Sequence, residues 1–290
     1  MNVATLFNNR GTTFYEMSRF EEALASYGQA IALKPDDAEF IKNRGNALIK
    51  LKRFQEAIAD FEKSKSLKSD QPYLEGLRLH AKMHICDWSD FDGDCASLIS
   101  KVETGISASE PFILLSAPME SAVHRKCAKL YVADRCSTAL LPLWRGERYA
   151  HQRIRVAYVS ADLREHAVAI LAAGLFDHHD KSRFETIAIF LGPDTNDAMR
   201  ARLKSSFDRF IGASTKSDQA VAALMRDFEI DIAVDLNGFT GESRPNIFAC
   251  RAAPVQVNYL GFAGTLGKNY WDYIVADRFV IPEERQADFA

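Results

Sequence analysis

Residues 4–37 and 38–71 align without a gap at a spacing of 34 residues, and that period constrains the front of this 290-residue chain more than any other feature. Asn9-Arg10-Gly11 returns as Asn43-Arg44-Gly45, Arg19-Phe20 as Arg53-Phe54, and Leu33-Lys34 as Leu67-Lys68. A repeat this long that carries apolar residues at helical spacing is a pair of antiparallel helices. Gly11 and Gly45 let the first helix of each pair lie close to the second, and Ala23 and Ala57 keep the crossing point thin. Tyr27 and Phe61 fill the space between successive helices, and Pro35 ends the first pair.

The period and the small/large pattern are those of the tetratricopeptide repeat (TPR), which assigns residues 1–71 to two repeats. Two repeats do not bury their faces alone, because stacked neighbours supply the core. The helical stretch Pro72–Cys86 is therefore expected as a cap, and 72–150 as cap and linker, with breaks at Pro111, Pro118 and Pro142. The array reads either as a groove for an extended polypeptide or as a packing platform, and both readings stand. Balanced charge (36 Lys+Arg, 39 Asp+Glu) gives no support for nucleic-acid binding. The five cysteines, Cys86, Cys95, Cys127, Cys136 and Cys250, contain no Cys-x-x-Cys pair and read as reduced thiols of a cytoplasmic protein. Neither a leader-like N-terminus nor an apolar run long enough to span a membrane is present in the sequence.

From Arg153 the pattern changes. Short β-rich runs (154–159, 186–191, 210–211, 232–236, 255–260 and 273–275) alternate with helical stretches (168–176, 197–206, 217–228 and 247–250). This alternation calls for a mostly parallel, Rossmann-like sheet over 151–290, so the fold class is α plus α/β. Three loops fall at strand carboxyl ends, where open α/β sheets bind ligands. They are Asp162–His166, Asn237–Glu242 and Gly261–Gly267. Glycines there let backbone N–H groups approach an anionic ligand. None of the three fits G-x-G-x-x-G or the phosphate-binding P-loop, which argues against a nicotinamide or ATP site.

Taken in order, the tandem repeats, Cys86-Asp87-Trp88, Val156–His166 (VAYVSADLREH), Asp235–Thr240 (DLNGFT) and Leu260–Gly267 (LGFAGTLG) resemble the protein O-GlcNAc transferase family (SPINDLY-like, glycosyltransferase family 41). The resemblance runs along nearly the whole chain. It implies a GT-B enzyme that moves N-acetylglucosamine from UDP-GlcNAc to Ser or Thr of proteins, inverting and without a metal or other cofactor. It further implies that polypeptide substrates engage the repeats. By the same resemblance His166 is the first-lobe histidine bordering the sugar-phosphate and acceptor cleft. Gly261, Gly264 and Thr265 fall on a loop that approaches the sugar, and Asn237, Gly238 and Thr240 on a motif lining the same cleft. Ala167 and Ala263 stand where many relatives carry Pro, which leaves both loops less constrained. The resemblance also leads to the expectation that the chain stops after the first lobe and lacks the C-terminal one, so that the isolated chain is inactive or impaired. Alternatives are a non-catalytic TPR interaction scaffold, or a transferase using another nucleotide sugar.

Histidine is the side chain whose ordinary pKa lies near neutrality, so His166 suits a base, a phosphate contact or an acceptor-positioning group, and the residues do not choose among them. Asp162 reads as the cap of the following helix and as a group orienting Arg164. Arg244 reads equally as a phosphate partner or a surface arginine. His80 and His84 read as core or interface histidines rather than metal ligands, His178 as a helix C-terminal histidine, and Cys250 as core. Trp271 and Tyr273 read as packing at the edge of the lobe, beside an exposed apolar patch.

Overall fold

The computed structural model describes residues 2–136, 141–268 and 270–289, and it divides into two compact units, 1–130 and 131–290. In the first unit, helices α1 (Val3–Glu16), α2 (Phe20–Leu33), α3 (Ala38–Lys50) and α4 (Phe54–Leu67) form two hairpins. A Cβ on Gly11 would lie 2.6 Å from the Tyr27 ring, and one on Gly45 would lie 2.5 Å from the ring of Phe61. The repeat glycines therefore mark the points where only a bare Cα fits. The cap expected over 72–86 is α5 (Leu74–His84), followed by α6 (Phe91–Glu103), the short α7 (Pro111–Leu114) and α8 (Ser121–Arg135). Pro111 starts α7 at its first turn, where a missing N–H costs nothing.

An ion network lies between these helices. Arg78 pairs with Asp94 and Glu62, and Lys82 reaches Asp94 at 2.7 Å. Lys101 and Lys65 reach Glu75 at 2.9 and 3.1 Å. Burial raises the carboxyls of Glu75 and Asp94, but the adjacent cations overcome it and hold both below the ordinary carboxylate range.

In the second unit the strands are β1 (Ile154–Ser160), β2 (Phe184–Phe190), β3 (Arg209–Gly212), β4 (Ile232–Asp235), β5 (Val255–Tyr259) and β6 (Tyr273–Val275). All pair in parallel, in the order β3-β2-β1-β4-β5-β6. Helices α9 (Ala167–Asp177), α10 (Ala198–Ser206), α11 (Asp218–Asp227) and α12 (Asn246–Ala249) connect them. The core gathers Val156, Tyr158, Phe176, Phe190, Leu203 and Val234. This unit reaches back into the stretch expected as linker. Leu143 and Trp144 donate backbone N–H groups to Cys250 and Arg251 at 2.8 Å each. Residues 137–140 of that stretch lie outside the described residues. No helix among the described residues is long and apolar enough to cross a membrane.

Candidate active site

The strand order reverses direction between β1 and β4, and an open sheet leaves a crevice at the carboxyl ends of two such strands. Four of the residues singled out from sequence, Asn237, Asp162, Thr240 and His166, meet there. The buried side chain of Asn237, just past β4, spans the gap. Its Oδ1 accepts the N–H of Ala161 at 2.8 Å, and its Nδ2 donates to Asp162 Oδ2 at 2.7 Å. The Thr240 hydroxyl donates to the carbonyl of Asn237 at 2.9 Å, closing a tight turn. His166 lies one step further along the chain of contacts, with Nε2 3.7 Å from Asp162 Oδ1. Its side chain is 41% exposed, so the ring is only partly covered.

Below this line lies a carboxylate that sequence reasoning did not single out. Asp235 Oδ1 accepts the N–H groups of Asn237 and Gly238 at 2.9 and 3.0 Å, and Oδ2 accepts Trp271 Nε1 at 3.0 Å. Burial pushes its carboxyl up to about 6, against the lowering effect of those donors. The arrangement forces Gly238 to φ +57°, where glycine is at home. A signal was present: a charged residue closes the apolar run Ile232–Val234 directly before Leu-Asn-Gly, a pattern of side-chain-to-backbone turns.

The third loop packs against the second. A Cβ on Gly261 would sit 1.9 Å from the Leu236 carbonyl oxygen, and one on Gly238 would sit 2.5 Å from Cβ of Phe262. Phe239, between Tyr131, Phe262 and Trp271, forms an aromatic floor. Gly264 is buried in this loop, and no hydrogen bond joins it to His166 among the described residues. Thr265 follows Gly264 in the same loop. Its buried hydroxyl finds no partner among the described residues, and it lines a cavity of about 340 Å³ with Lys268, Trp271, Tyr273 and Phe289. The described walls of that cavity include neither His166 nor Asn237.

Several expectations change. The cap of α9 is His166 itself, whose Nδ1 accepts the N–H of Val168 at 3.3 Å; the carboxylate of Asp162 is taken by Asn237. Arg164 reaches the Ala161 carbonyl and Glu242 rather than Asp162. Arg244, read equally as a phosphate partner or a surface arginine, has protein partners of its own. It binds Asp218 at 2.6 Å and the carbonyl of Lys216 at 2.5 Å. Trp271 is buried on Asp235, whereas Tyr273, Val275 and Phe279 form the exposed apolar edge. His178 accepts its helix-terminal place by contacting the Gly174 carbonyl, and Cys250 is buried. His80 and His84 touch through Nε2 at 3.1 Å, with His84 stacked on Phe54 and burial pushing His80 down to about 4. Among the described residues no group of three or more His, Cys, Asp or Glu is placed to hold a metal ion.

The sequence matches glycosyl transferase family 41 over residues 85–290, and TPR families over 11–52 and 41–71. It is 31% identical over 222 residues to the probable UDP-N-acetylglucosamine–peptide N-acetylglucosaminyltransferase SEC of Arabidopsis thaliana, covering 70% of this chain and 22% of that protein. It is 29% identical over 214 residues to the UDP-N-acetylglucosamine–peptide N-acetylglucosaminyltransferase of Caenorhabditis elegans, covering 68% of this chain and 18% of the relative. The chain thus spans about a fifth of the length of these curated relatives. The fold matches a mutant O-GlcNAc transferase of Thermobaculum terrenum with a TM-score of 0.67 at 20% identity, over 98% of this chain and 55% of that one.

Proposed function

We propose, from the premise that the chain belongs to glycosyl transferase family 41, that it carries one wall of a site transferring N-acetylglucosamine from UDP-GlcNAc to Ser or Thr hydroxyls of proteins. The observation that carries this reading is the crevice at the β1/β4 reversal. There Asn237 ties two strand ends together, and the partly exposed His166 ring lies beside Asp162.

In the proposed inverting step the acceptor oxygen forms a bond to the anomeric carbon, the bond from that carbon to the UDP oxygen breaks, and the hydroxyl proton leaves to a base. Donors around the departing diphosphate stabilise the charge it gains. On this reading Gly238, Gly261 and Gly264 allow close backbone approach, Thr240 holds the turn, and Thr265 borders the sugar side. No metal or cofactor is proposed, the complete site is of the two-lobed GT-B kind, and the protein works in the cytoplasm. The repeats, assigned to 1–71, hold the polypeptide substrate, with 72–150 joining them to a catalytic lobe over 151–290.

The test incubates the protein with UDP-GlcNAc and a Ser/Thr-rich peptide and reads the product by mass spectrometry. With a second lobe of the family supplied to complete the site, a gain of one N-acetylhexosamine, abolished by His166→Ala, is expected. Transfer from a different nucleotide sugar in preference would redirect the donor assignment. Absence of both transfer and nucleotide binding would leave a TPR interaction protein in its place.

A further inference from the structure

His166 is held at both ring nitrogens by groups of opposite character. Nδ1 accepts the Val168 N–H at 3.3 Å, the first hydrogen bond at the start of α9, with His166 itself in extended backbone. A nitrogen that accepts an N–H presents its lone pair and carries no proton. Nε2 faces the carboxylate oxygen Oδ1 of Asp162 at 3.7 Å, whose other oxygen is occupied by Asn237. A carboxylate on that side favours a proton on Nε2. The loop itself is pinned, because Asp162 N donates to Ser160 Oγ at 2.9 Å and the carboxylate of Asp197 accepts the N–H of Glu165.

We propose that His166 keeps its proton on Nε2 and serves as a hydrogen-bond donor to an anionic oxygen of the ligand, not as the base that takes the acceptor proton. Its one lone pair is committed to the helix start, and its other nitrogen, on a side chain 41% exposed, bears the N–H. A second proton can go only to Nδ1, and it would break the cap of α9. Asp162 is the positioning residue: it acts through His166 and is itself aligned by Asn237. The ligand half of this proposal rests on the reading of the crevice as a sugar-nucleotide site; the proton assignment does not.

The experiment uses the whole chain labelled with ¹⁵N-histidine, with the His166 ring signals identified by their loss in His166→Asn. Long-range proton–nitrogen correlation at neutral pH is expected to give a bare Nδ1 and a protonated Nε2. The Nε2–H form should exceed its tautomer by roughly five- to tenfold, the ratio one added hydrogen bond supplies. An even mixture or a proton on Nδ1 overturns the proposal. Amide exchange at Val168 gives a second measurement. His166→Ala should speed it by roughly five- to tenfold, and His166→Asn, whose side chain also caps helices, should restore it. Unchanged exchange in His166→Ala likewise overturns it. Neither measurement involves nucleotide, so a failure of the sugar-nucleotide reading appears separately, as an Nε2–H signal that UDP does not move.

Discussion

Glu75 and Asp94 of the repeat unit are buried beside ammonium and guanidinium groups, whereas Asp235 of the α/β unit is buried with only N–H donors around it. The first arrangement holds its carboxyls down and the second lets burial push one up to about 6. The difference follows from what each region must do. Between packed helices a charge can be matched by a side chain from the next helix. At a strand end, the same carboxylate instead shapes a turn by collecting backbone N–H groups, and its charge is left without a cation.

The largest effect expected from this contrast is at Arg78. Replacing it by Met leaves Asp94 and Glu62 without the guanidinium, and the repeat unit should lose about 3–5 kcal/mol, read by urea unfolding with hydrogen exchange of α5 to locate the loss. A change under about 1 kcal/mol, the scale of an exposed pair, would put this network on the surface in energetic terms.

The pH responses should run in opposite directions. Carboxyls held down in the fold, as at Glu75 and Asp94, stabilise it above their unfolded pKa, and that support is lost as pH falls through the lower folded values. A carboxyl held up, as at Asp235, favours the fold while protonated. Its contribution is complete below 3.8 and is lost as pH rises through about 6. Exchange of β4 and β5 amides should therefore report a stability lower by about 2–3 kcal/mol at neutral pH than at pH 4, and Asp235→Asn should flatten that dependence. Equal slopes in the wild type and the variant would refute the assignment to Asp235.

A smaller effect is expected from Gly261→Ala, whose methyl meets the Leu236 carbonyl. It should cost about 1–3 kcal/mol and loosen the contact between the second and third loops, whereas Gly241→Ala, with open space around it, should be near neutral. Melting of the α/β unit compares the two.

The elements were legible because their periods are strong. The repeat glycines and the ring residues opposite them could be matched by register alone, and the strands fall within a few residues of the apolar runs. The crevice was legible as three loops but not as a connected group. Asn237 and Asp162 lie 75 residues apart in sequence, and only the parallel pairing of β1 with β4 brings them together. The helix cap was misassigned for the same reason. Asp outranks His as a cap in general, but Asn237 had claimed the Asp162 carboxylate, which left the imidazole next to the first free N–H. Thr265 shares a cavity with Trp271, whose indole N–H donates to Asp235, a link that the sequence order alone does not reveal.

The most direct test of the central claim is titration of the ¹⁵N-labelled protein with UDP-GlcNAc while its backbone amides are followed by NMR. Shifts are expected to concentrate in 161–168, 236–242 and 260–267 and to be lost in Asn237→Ala, while the repeat helices stay unmoved. Shifts confined to the repeat helices, or none in those three loops at saturating nucleotide sugar, would contradict it.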